Sequence, residues 1–307
     1  MNDTILIIDY GSQYTQLIAR KIREQNIFCV IHPYNKINKT ISKKNKLSGI
    51  ILSGGPNSVL DRNSPKFNKK ILKLNIPILG ICYGLQLLCK EFNGQIGKSN
   101  SREYGHSLID LKKKSILYKN IKDLGQVWMS HGDHIEKAPK DFEVTSVSKK
   151  NIIASIENKN KKIFGLQYHP EVYHSVNGKK ILSNFLNKVC NVKKNFKIEN
   201  YLSNKIINMQ KTLYDKKVIC GLSGGVDSTV TAYLLSKAVN KNLYCIFVDH
   251  GLLRKNEANE VSKIFSKKFG KNFTKINASN IFLKNLKNVS DPEKKRKIIG
   301  KTFIEVF

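Results

Sequence analysis

Arginine is scarce in this chain. Six of its 54 basic residues are Arg (20, 23, 62, 102, 254 and 296), against 23 acidic residues and a formal net charge of +31. A charge of that size invites a nucleic-acid reading. Nucleic-acid modules, however, concentrate their charge, favour Arg forks and interleave stacking aromatics. Here the lysines run the whole length beside Asn and Ile. That pattern argues against sequence-specific nucleic-acid binding and leaves only weak attraction to polyanions at low salt. Long apolar runs are also missing. The longest stretch, 76–89, is broken by Pro77, two glycines and Gln86, so no membrane span is expected. The chain opens on a strand-like run, Ile5 to Ile8, closed by Asp9, rather than on a basic and then apolar leader, so no secretory signal is expected. The six cysteines (29, 82, 89, 190, 220, 245) form no C-x-x-C pair, and most sit in apolar runs. Reduced thiols in a cytoplasmic protein are expected, not a disulfide framework or a zinc site.

What is present is enough for two cores, since 307 residues predict two domains. Strand-like runs at 4–9, 27–32, 49–53 and 76–81 alternate with helical patterns at 13–25, 66–74 and 83–92, which argues a parallel sheet covered by helices. Residues 93–165 read as β-rich with hairpin-like turns, and Gly178 to Cys190 as a closing helix. The Lys- and Asn-rich stretch 191–200, without apolar period, reads as a linker, and a helix follows from about 200 to 213.

Three strand ends carry chemistry. Ser53-Gly54-Gly55-Pro56 follows the strand Gly49–Leu52, and a glycine pair at a strand's carboxyl end can offer N–H groups to an oxyanion, although Gly-Gly-Pro is also an ordinary turn. Gly80-Ile81-Cys82-Tyr83-Gly84 is the cysteine form of a nucleophile elbow, a sharp strand-to-helix turn with the nucleophile at its apex. The helix dipole there favours a thiolate, and the Tyr83 N–H is placed to donate to an oxyanion. A single cysteine in apolar company is more often structural, and Cys89, in mid-helix, fits that bland reading. Residues 163–171, an apolar strand ending in His169-Pro170-Glu171, offer a base with a carboxylate two positions on, the two pointing the same way on an extended segment. A fourth run, Gly125 to Asp133, holds Ser130-His131-Gly132-Asp133.

Val218 to Leu222 reads as a buried strand that breaks at Gly224-Gly225 and resumes as a helix with apolar positions Val230, Leu234 and Leu235. Strand, glycine turn and helix aim backbone N–H groups at a phosphate. The glycines permit backbone angles that side chains would forbid, and Ser223, Ser228 and Thr229 add hydroxyls. It is not the Walker form, because no G-K-[ST] follows. The strand Leu243–Val248 should bring the end of that run, Asp249-His250-Gly251-Leu252-Leu253-Arg254, beside the loop. Asp291-Pro292 reads as a helix start. The basic run behind it could face polyphosphate or solvent.

Gly-Gly-Pro, Gly-Ile-Cys-Tyr-Gly-Leu-Gln, Ser-His-Gly-Asp and Tyr-His-Pro-Glu-Val occur in the order that resembles class I glutamine amidotransferases, over residues 4–190. Ser-Gly-Gly-Val-Asp-Ser resembles the pyrophosphate loop of the N-type ATP pyrophosphatases. With Val-Asp-His-Gly-Leu-Leu-Arg and Asp-Pro-Glu-Lys-Lys-Arg-Lys-Ile-Ile-Gly, the combination is similar to the glutamine-hydrolysing GMP synthase family. The resemblance implies an α/β protein of two doubly wound parallel-sheet domains: a flavodoxin-like amidotransferase at 1–192 and an adenine-nucleotide α-hydrolase-like domain at 200–307. It implies a triad of Cys82, His169 and Glu171, an oxyanion hole near Gly55 and Tyr83, and Gln86 close to the bound glutamine. ATP, with Mg2+, is implied as a substrate on Ser223, Gly224, Gly225, Val226, Asp227, Ser228, Thr229 and Val248, with Asp227 toward the metal. XMP is the implied acceptor and GMP the product, in purine biosynthesis. The family carries more of the second sheet and a dimerisation region that helps hold XMP, so the second domain is expected to be incomplete at residue 307. Ile298, Ile299, Phe303 and Val306, at helical spacing, are then expected to face a core that is absent. A glutaminase and ATP-binding remnant, or a basic binding protein without catalysis, stay open beside the full ligase.

Overall fold

The run Ile5–Ile8 is wholly buried and forms β1 (Asp3–Asp9) in the middle of a parallel array. A strand covered on both faces reads as a continuous apolar run rather than an alternation. The computed structural model describes residues 3–39, 46–194 and 196–307, without the side chains of 37–39 and 99–102. Chain contacts divide it into two units, Met1–Lys197 and Ile198–Phe307.

In the first unit β1 lies between β2 (Phe28–Pro33) and β3 (Lys46–Leu52), both parallel to it. The parallel array continues through β4 (Ile78–Ile81) and β9 (Ile163–Leu166). Beyond it lie antiparallel strands: β8 (Ile153–Asn158), β7 (Glu143–Ser148), β5 (Gln95–Leu111) and β6 (Gln126–Lys137). The full order is β2-β1-β3-β4-β9-β8-β7-β5-β6. The chain goes from β1 out to β2 on one side and returns to β3 on the other. This reversal opens a crevice beyond the carboxyl ends of the strands. Helix α1 (Thr15–Arg23) buries Ile18, Ala19 and Ile22 in one core layer, and α2 (Tyr83–Glu91) buries Leu85, Leu87 and Leu88 in the other. Helix α3 (Gly178–Asn184) loosens into a wider-turned segment, Phe185–Val189, that completes the first layer.

Two expectations for this unit are corrected. The pattern at 66–74 is not an α-helix but a short 3-10 turn, Lys69–Leu74, started by Asn68 accepting from the Lys70 N–H. The stretch 191–200 is not a free linker. Val192 and Phe196 are buried, the Phe196 N–H donates to Asn26 O, and the Lys193 N–H donates to Asp3 Oδ2. Residue 195 lies outside the described residues, and α4 (Ile198–Thr212) already begins the second unit. Two apolar anchors in a lysine-rich run carry no period, which is why the composition misled.

The second unit holds three parallel strands, β10 (Val218–Leu222), β11 (Leu243–Asp249) and β12 (Phe273–Asn277), in that order. Helices α5 (Val226–Val239) and α6 (Glu257–Phe269) pack with Cys220, Leu222, Cys245 and Phe247. On α5 the buried residue is Ala232, with Leu235 and Val239 half-buried, while Val230 is exposed, contrary to the pattern read from sequence. Helices α7 (Ser279–Leu286) and α8 (Pro292–Val306) form a second small core. As expected, α8 starts at Asp291, whose carboxylate accepts from the Lys294 N–H, with Pro292 in the first turn. Ile299, Phe303 and Val306 are half-buried and pack against Val248, Ala278 and Phe282. Ile304 is the large apolar side chain of this helix that faces solvent.

Glycine at 84 lets α2 approach β3. A Cβ there would lie 2.5 Å from Leu52 O and 2.6 Å from Leu52 Cβ. Gly84→Ala should therefore destabilise the first unit by about 1–3 kcal/mol through overpacking. Gly300→Ala, in the open on α8 with nothing within 4 Å, should stabilise its helix by about 0.5–1 kcal/mol. Chemical denaturation of the two variants should show opposite signs; a harmless Gly84→Ala would mean that helix and strand are free to part.

Candidate functional site

Cys82 sits where β4 turns into α2 with φ 51° and ψ −106°, a conformation that L side chains rarely adopt. It is held there from both sides. The Cys82 N–H donates to Leu166 O at 2.7 Å, and the Gly84 N–H donates to Ser53 O at 3.1 Å. A Cβ at Gly80 would meet the backbone of Gly84 at 2.7 Å, so the elbow needs glycine at its entry as well as its exit. The helix begins without a side-chain cap, which leaves the Tyr83 N–H in the first turn with no partner inside the helix.

The strand β9 stops at Leu166, so His169 and Glu171 are not on an extended segment as the sequence suggested. They lie in a turn, in which the Val172 N–H donates to His169 O. The turn still brings the two together: His169 Nδ1 and Glu171 Oε1 are 2.8 Å apart, and both side chains are buried. The His169 main chain is fixed by its N–H to Trp128 O and by Ser175 Oγ donating to its carbonyl at 2.6 Å. Burial opposes a charge on His169, but the Glu171 carboxylate and the Cys82 sulfur together hold its pKa well above the ordinary imidazole value. An imidazole next to the cysteine sulfur, oriented by a carboxylate, is the arrangement a cysteine nucleophile requires. Cys89, in the body of α2, is different: burial alone pushes its thiol up to about 12. It carries no such partners.

Cys82 and His169 line a cavity of about 500 Å³, together with Gly55, Tyr83, Gln86 and His131. All six residues expected from the sequence to form this site therefore belong to it or, for Glu171, stand directly behind it. Gly54 makes the approach possible, since a Cβ there would lie 3.0 Å from His169 Cε1 and 3.7 Å from Cys82 Cβ. Ser53 Oγ accepts from the Tyr10 N–H and donates to Gly54 O, which fixes the glycine turn.

Sequence reasoning missed three neighbours. Tyr14 sets its ring edge-on to His169, with centroids 5.0 Å apart. Glu103, on β5, faces His131 across the antiparallel ladder, with Oε2 3.6 Å from His131 Nε2 and both side chains buried. His131 holds the Glu103 carboxyl below the usual range against its burial, helped by Lys150 and Ser148. Gln167, fully buried, reaches the Cys82 sulfur. The glutamine two places before His169 was the available signal for that contact. Pairing of Glu103 with the Ser-His-Gly-Asp run was invisible without the register.

In the second unit, residues 223–225 join β10 to α5. Gly224 carries the left-handed backbone, φ 79°, whereas Gly225 sits at φ −75°, ψ 163° and caps the helix. The strained glycine is thus the first of the pair. The hydroxyls expected to face a phosphate are tied to the loop itself. Ser228 Oγ and Thr229 Oγ1 donate to Gly225 O, and Ser223 Oγ lies 3.1 Å from Ser228 Oγ. No side chain caps α5, so the N–H groups of Val226 and Asp227 have no partner inside the helix. Asp227 stands exposed in that first turn. The Val248 side chain is spent in the α7–α8 core. Among the described residues no group of three or more His, Cys, Asp or Glu is arranged to hold a metal ion.

The chain is 48% identical over 303 residues to the GMP synthase [glutamine-hydrolyzing] of Finegoldia magna, covering 99% of this chain and 59% of that protein. It is also 48% identical over 305 residues to that of Clostridium kluyveri, covering 99% and 60%. The chain thus spans about 60% of the length of these curated relatives. A solved Thermoplasma acidophilum protein, described as a candidate GMP synthase subunit, superposes with a TM-score of 0.52 at 26% identity, covering 67% of this chain and 98% of that one. The NAD synthase family model matches residues 196–300. The model of glutamine amidotransferase class-I matches residues 6–189, which hold the elbow, the buried His–Glu pair and the cavity between them. This chain belongs to the class-I glutamine amidotransferase family.

Proposed function

We propose that the chain supplies the glutamine-hydrolysing and ATP-activating chemistry of a GMP synthase. The observation that carries the reading is the strained Cys82 beside a buried His169–Glu171 pair on the wall of a 500 Å³ cavity. Cys82 Sγ attacks the side-chain amide carbon of glutamine while His169 takes the thiol proton. The Gly55 and Tyr83 N–H groups receive the developing oxyanion. His169 then returns the proton to the departing nitrogen, and ammonia leaves. Water cleaves the glutamyl thioester with His169 as base, releasing glutamate and the thiol. Glu171 takes no proton; it holds the ring and its charge in place. In the second unit, Mg-ATP enters as substrate with its polyphosphate on the N–H groups that open α5 and on the turn at Gly224. Mg2+ is held mainly by substrate phosphates and by one or two carboxylates, a role that the exposed Asp227 fits. ATP adenylates XMP, and ammonia displaces AMP to give GMP, with pyrophosphate as the other product. Reduced buried thiols suit a cytoplasmic setting.

Glutaminase assays test the first half. Cys82→Ala should abolish glutamine hydrolysis, and Cys89→Ala should retain it; full activity in the Cys82 variant would remove the amidotransferase chemistry. Titration with a non-hydrolysable ATP analogue tests the second. Gly224→Ala forces a side chain into a left-handed backbone with Val261 Cγ2 2.7 Å from the new carbon, and should weaken binding more than tenfold, about 1.4 kcal/mol. Gly225→Ala, in a backbone any residue adopts, should change affinity less than threefold. Unchanged affinity in the Gly224 variant would mean that the loop is only a turn.

A further inference from the structure

A row of side-chain amides runs from the candidate nucleophile to the wall of the cavity. Gln86 Nε2 donates to Asp133 O at 2.8 Å and lies 3.5 Å from Gln167 Oε1. Gln167 Nε2 lies 3.8 Å from Cys82 Sγ. The network itself decides which way each amide faces. A carbonyl accepts from Gln86, so the atom it meets must be the nitrogen. That nitrogen needs an acceptor in Gln167, which places the Gln167 oxygen toward Gln86 and its NH2 toward sulfur. Reversing Gln167 would set two NH2 groups against each other and an oxygen against the sulfur.

The sulfur needs such a donor. Cys82 Sγ also lies 3.6 Å from Ser130 O. As a thiol it can donate to that carbonyl, but once ionised it faces the negative end of the carbonyl dipole. Cys82 is 5% exposed and Gln167 fully buried, so water is a poor replacement and an N–H donor counts for more than in solvent. The Gln167 backbone is pinned by its N–H to Ala154 O at 2.8 Å. The side chain therefore starts from the edge of the sheet rather than from a mobile loop.

We infer that Gln167 is a catalytic residue of this site, donating its amide N–H to the Cys82 thiolate while its oxygen locks Gln86 against the cavity wall. The inference rests on the amidotransferase reading above and names a residue that reading does not use. In the resting thiol the contact is weak. In the thiolate, formed when His169 takes the proton, it becomes a hydrogen bond to a charged acceptor, so it favours the reactive form over the resting one.

Two variants of the 307-residue chain test it. Gln167→Met keeps an unbranched side chain of similar reach and removes the donor. Gln167→Glu keeps the shape and the acceptor for Gln86 but turns the sulfur's partner into a like charge when ionised. Iodoacetamide labelling of the Cys82 peptide is followed by mass spectrometry across pH, alongside glutaminase kcat and KM and thermal unfolding. For Gln167→Met we expect kcat to fall roughly tenfold to a hundredfold and the labelling profile to move to higher pH, with unfolding little changed. For Gln167→Glu the profile should move further in the same direction. If Gln167→Met fails to fold, the Glu variant decides alone. Labelling profiles that coincide with wild type in the folded variants would overturn the inference, whatever happens to kcat. A wild-type chain that labels normally at Cys82 but hydrolyses no glutamine would instead refute the amidotransferase reading, and the labelling comparison would still judge Gln167.

Discussion

The backbone of Cys82 is the constraint on which the first unit's site depends. A non-glycine residue at φ 51° stores on the order of 1–3 kcal/mol, and that strain persists only because neighbours on three strands hold it. Leu166 on β9 accepts the Cys82 N–H, Ser53 after β3 accepts the Gly84 N–H, and Gly80 on β4 lets the helix return over its own strand. The antiparallel half of the sheet contributes from further away. It carries Trp128 O, which fixes His169, and Ser130 O, which faces the sulfur. The crevice at the switch point is therefore not an empty consequence of topology. The ends of β9 and β3 each deliver a main-chain carbonyl that the elbow needs.

Buried charge follows the same logic. His169–Glu171 and His131–Glu103 are both buried imidazole–carboxylate pairs, yet they differ in reach. The first closes to 2.8 Å in a turn whose main chain is bonded at both ends, and its imidazole faces the Cys82 sulfur. The second stays at 3.6 Å across a ladder register. A buried ion pair gains little for stability once desolvation is counted, so the closeness of the first pair makes better sense as orientation of a reacting ring. The second links β5 to the strand from which Ser130 and His131 face the cavity.

Much of this was legible in the chain. Glycines at 80 and 84 around a cysteine, and a carboxylate two places after a histidine, are local patterns with a geometric cause, and the α/β alternation pointed to the fold class. Non-local partners were not legible. Glu103 meets His131 only through a register with a shift in it, and Tyr14 reaches His169 only because the sheet reverses between β1 and β3. Periodicity failed where burial was partial. On α5, Val230 reads as core but is exposed, since a three-stranded sheet covers little of that helix and Ala232 already fills the contact. The asparagine-rich composition has a structural outlet as well. Nine of the twelve non-glycine residues with positive φ among the described residues are Asn, ending helices and turns where glycine is more usual.

On the function proposed above, the two units use one device, a strand that turns sharply into a helix N-terminus, for opposite purposes. Around Cys82 the turn is buried and the strain sits on the reacting residue itself. The side chain must project from the apex toward His169, so no glycine can take its place. At 223–229 the turn is open to solvent and the strain sits on Gly224, which has no side chain to aim. The hydroxyls there bond to Gly225 O and to one another, so they shape the loop, and the free groups are main-chain N–H. A covalent nucleophile needs one atom placed to within a fraction of an ångström. A polyphosphate needs several donors spread along an exposed cradle, because its charge is spread too. Where the strained residue lies, on the reacting cysteine or on a bare glycine, therefore distinguishes a turn built to attack from a turn built to hold.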